Sequence, residues 1–281
     1  MALSSADILA HARLDVQRAL DEDVGSGDLT AALIAAHTQL RARVIAREAA
    51  VLCGRPWFDE VFRQVDPAVT IDWLADEGAR VDAGQVLCRL AGPARALLTG
   101  ERSALNFLQL LSGVATRTRV HVDAAAGTRA RILDTRKTLP GLRFAQKYAV
   151  ITGGGDNHRM GLYDMVLVKE NHIVAAGGIA AAVREAQRRF PDVPLQVEVE
   201  TEAQLAEALA AGAQLILLDN FSVERMAAAV VFTAGRARLE ASGGITLENV
   251  AAIAATGVDR ISIGALTKDV RALDLSMRFE E

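Results

Sequence analysis

Arg136, Lys137, Arg143, Lys147, His158, Arg159 and Lys169 fall inside one stretch, Asp134 to His172, around the glycines Gly153–Gly155. Cations beside glycines at strand ends are the chemistry of an anion site, and the flanking runs ARIL and MVLV read as short buried strands. Lys169 carries the most specific signal. It closes an apolar run and shares a strand face with Leu167 and Met165, so its charge requires a hydrogen-bonding or anionic partner. Further along, Glu198 and Asp219 end the runs LQVEV and LILLD. Hard carboxylate oxygens there suit a divalent cation or sugar hydroxyls, with simple strand-end caps as the alternative. ASGGIT at 241–246 and ISIGAL at 261–266 place Ser242, Gly243, Gly244 and Gly264 in glycine turns after two late strands. Paired turns of this kind hold phosphate on backbone N–H groups, whereas one alone is explained by a tight turn.

Positioning those side chains needs a repeating scaffold. Strands are predicted at Ala130–Leu133, Met165–Lys169, Leu195–Val199, Leu215–Leu218, Ala237–Ala241 and Arg260–Ile263, separated by helical stretches such as Ile179–Phe190 and Glu202–Ala211. Polar residues recur at the C-terminal ends of these strands, which favours a parallel β/α barrel with its site at that edge. Before this region the texture differs. A helix is predicted over residues 4–22, capped by Ser4 or Ser5, and an extended apolar segment over 41–52. Short strands with turns at Gly78, Gly84 and Gly92 follow, making a small sheet-containing domain. A helix over 100–119 carries the chain onward.

The chain has 281 residues, 51% of them hydrophobic and 23% charged, values of a globular protein. Its formal net charge of −4 and 4% aromatic content argue against nucleic-acid binding. No apolar run reaches the length of a membrane span, and the N-terminus reads as an amphipathic helix rather than a signal peptide, so a cytoplasmic location is expected. Cys53 and Cys88 show no zinc spacing and read as buried small hydrophobes.

The blocks EDVGSGDLT at 22–30, GERSALNFLQLLSGVAT at 100–116, DTRKTLPGLR at 134–143, GGGDNHRMGLYD at 153–164, LVKENHI at 167–173, EVE at 198–200, LLDN at 217–220 and ASGGI at 241–245 resemble the decarboxylating quinolinate phosphoribosyltransferase family. The resemblance runs through nearly the whole chain. It implies the type II phosphoribosyltransferase fold, an α/β architecture with an N-terminal α/β sandwich domain (1–114), an incomplete parallel β/α barrel (115–266) and a C-terminal tail (267–281) returning to the first domain. It implies Mg2+ without an organic cofactor, and a homodimer in which Arg102 completes the neighbouring active site. Carried over residue by residue, Arg102, Arg136, His158, Arg159 and Lys169 would hold the carboxylates of quinolinate, with Lys137 close by. Glu198 and Asp219 would face the ribose and magnesium of 5-phosphoribosyl 1-diphosphate, and Ser242, Gly243, Gly244 and Gly264 its 5-phosphate. Asp156 departs from the family pattern, where an uncharged residue such as Val is expected, and brings a negative charge into the neighbourhood of His158 and Arg159.

The implied reaction makes Glu198, Asp219 and Lys169 the catalytic candidates. The carboxylates face a ribosyl ring that becomes positive as diphosphate leaves, and Lys169 stands nearest the departing carboxylate. Three rivals share these residues: a related phosphoribosyltransferase with another acceptor, a Schiff-base lyase using Lys169 as nucleophile, and a noncatalytic sensor of a phosphorylated metabolite.

Overall fold

In the computed structural model, which describes residues 3–280, the N-terminal helix α1 (Ser5–Asp23) begins where the Ser4 side chain accepts the backbone N–H of Asp7. That bond satisfies one of the orphan donors of a helix start. The chain divides into two compact units. The first contains residues up to Arg119, Thr138–Gly154 and the segment from Thr267 onward. Its strands begin with β1 (Gln39–Ala46), β2 (Ala50–Val51), β3 (Thr70–Trp73), β4 (Arg80–Val81) and β5 (Val86–Pro93). β5 pairs antiparallel with both β1 and β3. α2 (Arg55–Val65) supplies Trp57, Phe58 and Phe62, all essentially without solvent exposure, and Trp57 Nε1–H donates to the buried Asp15 carboxylate of α1 at 3.0 Å. α3 (Ala94–Ala124) is longer than the predicted 100–119, and the chain leaves the first unit within it. Cys53 and Cys88 are buried, and burial raises both thiol pKa values.

α4 (Arg143–Thr152) also belongs to the first unit. The stretch read as one anion-binding block is therefore divided: Thr138–Gly154 lies with the first unit, while Asp134–Lys137 and the residues from Gly155 lie with the second. Lys147 is a fully buried residue of α4, and Arg143 Nε donates to Thr138 Oγ1 at 3.1 Å. Gly153 has a packing role. A Cβ there would lie 2.5 Å from the Ala115 carbonyl oxygen and 2.7 Å from Thr118 Cβ, so only glycine lets α4 end this close to α3.

The second unit is built on β6 (Arg131–Leu133), β7 (Val166–Val168), β8 (Leu195–Val199), β9 (Leu215–Asp219), β10 (Arg238–Ser242) and β11 (Arg260–Ser262). All neighbours are parallel, in the order β6-β11-β10-β9-β8-β7. α5 (Glu170–Ala176), α6 (Ile179–Arg189), α7 (Glu202–Ala210), α8 (Val223–Thr233) and α9 (Val250–Ala255) make the connections. Val197, Val199, Ile216, Leu218, Ala241 and Ile261 have no exposure, the pattern of parallel strands covered on both faces. Among the described residues β6 and β7 are the two ends of the sheet and do not pair with each other, so the barrel is incomplete. The outer side of β6 instead bonds to the backbone of Asp156. The last strand, β12 (Leu275–Glu280), returns to the first unit and pairs antiparallel with β1, completing a sheet of order β12-β1-β5-β3.

Candidate active site

Strand register brings the predicted polar residues together at the C-terminal ends of β7 to β10. Val168 pairs with Val197, and Asp219 with Ser242. Lys169 is the N-cap residue of α5, one step past the observed end of β7. Its Nζ lies 2.5 Å from Glu198 Oε2 on the neighbouring strand, which provides the partner its position demanded. Asp219 feels the same group. Burial first, and then the charge of Glu198, raise its pKa, while Lys169 and Lys137 pull it down. Two carboxylates and two ammonium groups thus share one electrostatic neighbourhood.

Arg136 and Lys137 follow the end of β6. Lys137 reaches the end of β11: a Cβ on Gly264 would lie 2.9 Å from Lys137 Cδ, so the absent side chain makes its path. Arg136 lies within electrostatic reach of Arg159, whose pKa is lowered by burial first and by the Arg136 charge second. Two guanidinium groups held this close create a positive field suited to an anionic ligand. The loop before β7 holds Arg159 in place, since its Nη1 donates to the Met165 carbonyl at 3.1 Å and Asp164 accepts the N–H groups of Met160 and Gly161.

His158 lies largely buried in the second unit. Its side chain is 7% exposed. Nδ1 accepts the backbone N–H of Arg159 at 2.7 Å, while Nε2 lies 2.9 Å from Gln196 Oε1 and 3.4 Å from Glu240 Oε1. Both ring nitrogens are thus engaged inside the unit. Asp134, fully buried, accepts the backbone N–H of His158 at 2.9 Å.

Gly243 and Gly244 turn the chain after β10 with φ of 92° and 57°. A Cβ on Gly243 would lie 2.2 Å from Asn220 Oδ1, and Asn220, itself at φ 55°, donates from its backbone to the Ser242 carbonyl and from Nδ2 to Asp219. Gly243→Ala is therefore expected to raise the KM for a phosphorylated substrate by about 10-fold or more, through strain at positive φ and displacement of Asn220. Steady-state kinetics with each substrate varied separately test this. An unchanged KM would remove Gly243 from the site.

Asp156, whose charge the sequence placed near His158 and Arg159, pairs with Arg131. Its carboxylate is gripped by Arg131, with Nε at 2.8 Å and Nη2 at 2.9 Å, and these bonds hold its pKa below the ordinary carboxylate value. Arg102 belongs to the first unit and is exposed on α3. Gln196, Glu240, Asp134 and Asn220 were absent from the predicted site. The strand period held a signal for two of them, because Gln196 and Glu240 stand two residues before Glu198 and Ser242, on the same faces of β8 and β10.

Cations, carboxylates and glycine turns gathered along the C-terminal strand edge of an open β/α barrel make this an α/β protein whose strand ends suit an anionic, phosphorylated ligand. The sequence matches the family models for the N-terminal domain of quinolinate phosphoribosyl transferase over residues 28–112 and for its C-terminal domain over 114–278. This chain belongs to the quinolinate phosphoribosyltransferase family. It is 44% identical over 257 residues to the probable nicotinate-nucleotide pyrophosphorylase (carboxylating) of Bacillus subtilis, covering 91% of this chain and 89% of that one. It is also 44% identical to the corresponding Mycobacterium leprae protein, covering 95% and 96% of the two chains. The solved structure of the nicotinate-nucleotide pyrophosphorylase from Francisella tularensis superposes with a TM-score of 0.95 at 44% identity, over 97% of each chain.

Proposed function

We propose that this protein transfers the 5-phosphoribosyl group of 5-phosphoribosyl 1-diphosphate to the nitrogen of quinolinate, releasing diphosphate and carbon dioxide and leaving nicotinate mononucleotide for NAD biosynthesis. The relatives' names describe the same reaction read backwards. The observation that carries the reading is the Arg136–Arg159 pair beside the Lys169–Glu198–Asp219 cluster. A dicarboxylate and a sugar polyphosphate repel each other, and such a cluster offsets that repulsion while holding them in bonding distance.

In this reading Arg136, His158, Arg159 and Lys169 hold the quinolinate carboxylates with Lys137 nearby, and Ser242, Gly243, Gly244 and Gly264 hold the 5-phosphate. Glu198 and Asp219 place negative charge where the ribosyl ring becomes positive. Mg2+ is the proposed metal, and Glu198 and Asp219 the residues that would hold it. Burial first and then the Glu198 charge raise the Asp219 pKa, a penalty that a nearby cation would relieve, and among the described residues no group of three or more His, Cys, Asp or Glu forms an all-protein cage. One or two carboxylates are the usual protein share of a Mg2+ site, and a Mg2+ held by Glu198 and Asp219 would supply positive charge to offset the negative charge of leaving diphosphate. After ribosylation the ring nitrogen is cationic and stabilises the carbanion left by departing carbon dioxide, so no organic cofactor is required.

The Lys169–Glu198 contact is the partner of an ammonium, which favours an electrostatic role for Lys169 over imine formation. Lys169 then stands nearest the departing carboxylate or its replacement proton. Lys169→Ala should lower carbon dioxide release relative to ribosylation in single-turnover assays; ratios equal to wild type would count against that assignment. A homodimer with Arg102 reaching the partner's site completes the reading, and a monomeric mass in sedimentation would overturn it. A cytoplasmic location is likewise proposed; among the described residues no helix is long and apolar enough to cross a membrane.

Carbon dioxide release from carboxyl-labelled quinolinate, with 5-phosphoribosyl 1-diphosphate and magnesium, tests the reaction. Release dependent on all three components is the expected result. Turnover of nicotinate alone would overturn the acceptor.

A further inference from the structure

We infer that Asn220 is a positioning residue that holds the Asp219 carboxylate in register with the Gly243 turn, so that the ribose-facing and phosphate-facing parts of the site keep a fixed spacing. This role rests on the proposed reaction and supports it without contact with the reacting atoms. Among the described residues only Asn220 and Ala234 combine a side chain with positive φ, at 55° and 47°. Ala234 is the C-cap of α8, where a left-handed residue commonly ends a helix. Asn220 instead follows a strand, directly after the last residue of β9. A left-handed residue of this kind persists only where its surroundings hold it, and such places cluster at functional sites.

The last pair of the β9–β10 ladder is Asp219 with Ser242, and the Asn220 N–H adds one more bond, to the Ser242 carbonyl at 3.0 Å. Beyond it the Asn220 amide serves two neighbours. Nδ2 donates to Asp219 Oδ2 at 2.9 Å. Oδ1 and Cγ occupy the space that a side chain on Gly243 would need, 2.2 and 2.9 Å from the position of its Cβ. One short side chain thus stands against both the carboxylate and the first glycine of the turn.

The carboxylate needs such a hold. The Glu198 charge adds to burial in raising the Asp219 pKa, so Asp219 is repelled by its neighbour and, if free, would turn toward water. The bond from Nδ2 opposes that turn, commits Oδ2 and offers Oδ1 to the ribosyl ring. Asparagine meets both demands of the position, because it tolerates left-handed backbone better than most residues and carries an N–H donor on a short arm. Glycine would meet only the first, and aspartate would set another negative charge against Asp219.

Two substitutions separate these demands, and the position is exposed, so both are expected to fold. Asn220→Gly keeps the backbone and removes the amide, whereas Asn220→Asp keeps the shape but replaces the donor by an acceptor. Each is expected to lower kcat by about 10-fold, with quinolinate affinity in calorimetric titration within about twofold of wild type. Wild-type kcat in either variant, or an equal loss of quinolinate affinity, would overturn the inference.

Acting through Asp219 has a sharper consequence. In an Asp219→Ala background, Asn220→Gly should change the single-turnover rate by less than about twofold. A further loss of about 10-fold there would show that Asn220 acts independently, against the inference. Binding supplies a readout without turnover or metal: nicotinate mononucleotide, whose ribose and phosphate span Asp219 and the Gly243 turn in this reading, should bind Asn220→Gly about 3- to 10-fold more weakly than wild type. Equal affinities would overturn the inference. Failure of the proposed reaction reads out separately, as wild-type protein that releases no carbon dioxide.

Discussion

Replacing Arg159 by Ala is expected to lower kcat/KM for quinolinate by about 30- to several-thousand-fold, the equivalent of about 2–5 kcal/mol for removing one member of a desolvated charge pair. The same range applies to Arg136→Ala. The size of the effect comes from the substrate side: a carboxylate drawn out of water onto these guanidinium groups has no replacement partner once one is truncated. Arg159 is half-buried and its pKa is lowered by burial and by Arg136, so two like charges are held near each other at a cost that an anion relieves. Arg159→Lys tests the geometry. Lysine keeps the charge but loses the planar fork and the bond to the Met165 carbonyl, so most of the loss should persist. Steady-state kinetics with quinolinate varied at saturating 5-phosphoribosyl 1-diphosphate supply the number. A loss below threefold for either alanine variant removes that residue from the site.

The residues that were legible in the sequence are those whose chemistry conflicts with their surroundings. Lys169 closes an apolar strand and was found paired with Glu198. The strand Leu195–Val199 coincides with its prediction, and the other barrel strands differ by one residue at one or both ends, because continuous apolar runs between alanine-rich helices leave few alternatives. What remained hidden depends on distance through space. Lys147 and Arg143 looked like neighbours of Lys169 along the chain, yet they belong to a helix of the first unit. Sequence proximity carries no information about which unit a helix joins. Asp156 looked like a perturbation of His158 because of its nearness along the chain, but its backbone bridges to the edge strand β6 and its carboxylate is taken by Arg131 of that strand instead. His158 itself is identified by a motif, whereas its ring neighbour Gln196 is 38 residues away in sequence and the Glu240 to which Gln196 donates lies 44 residues further on.

Glu198→Gln and Asp219→Asn are each expected to lower kcat by about 10²- to 10³-fold, the range for removing one preorganised group that stabilises charge in a transition state. Both carboxylates would act on a positive charge that the ribosyl ring acquires only as diphosphate leaves, so their loss should fall on turnover rather than on ground-state binding. The two variants should then separate in quinolinate affinity. Glu198 ties up Lys169, so Glu198→Gln releases an ammonium toward the substrate carboxylate, and quinolinate should bind at least as tightly as in wild type while turnover collapses. Asp219 makes no such bond; its contact is with Asn220 Nδ2, and Asp219→Asn should leave quinolinate affinity unchanged. Calorimetric titration with quinolinate alongside single-turnover rates distinguishes the two effects. Losses below about 10-fold in kcat for both variants would show that these carboxylates do not face the developing charge, and would return them to the role of strand-end caps.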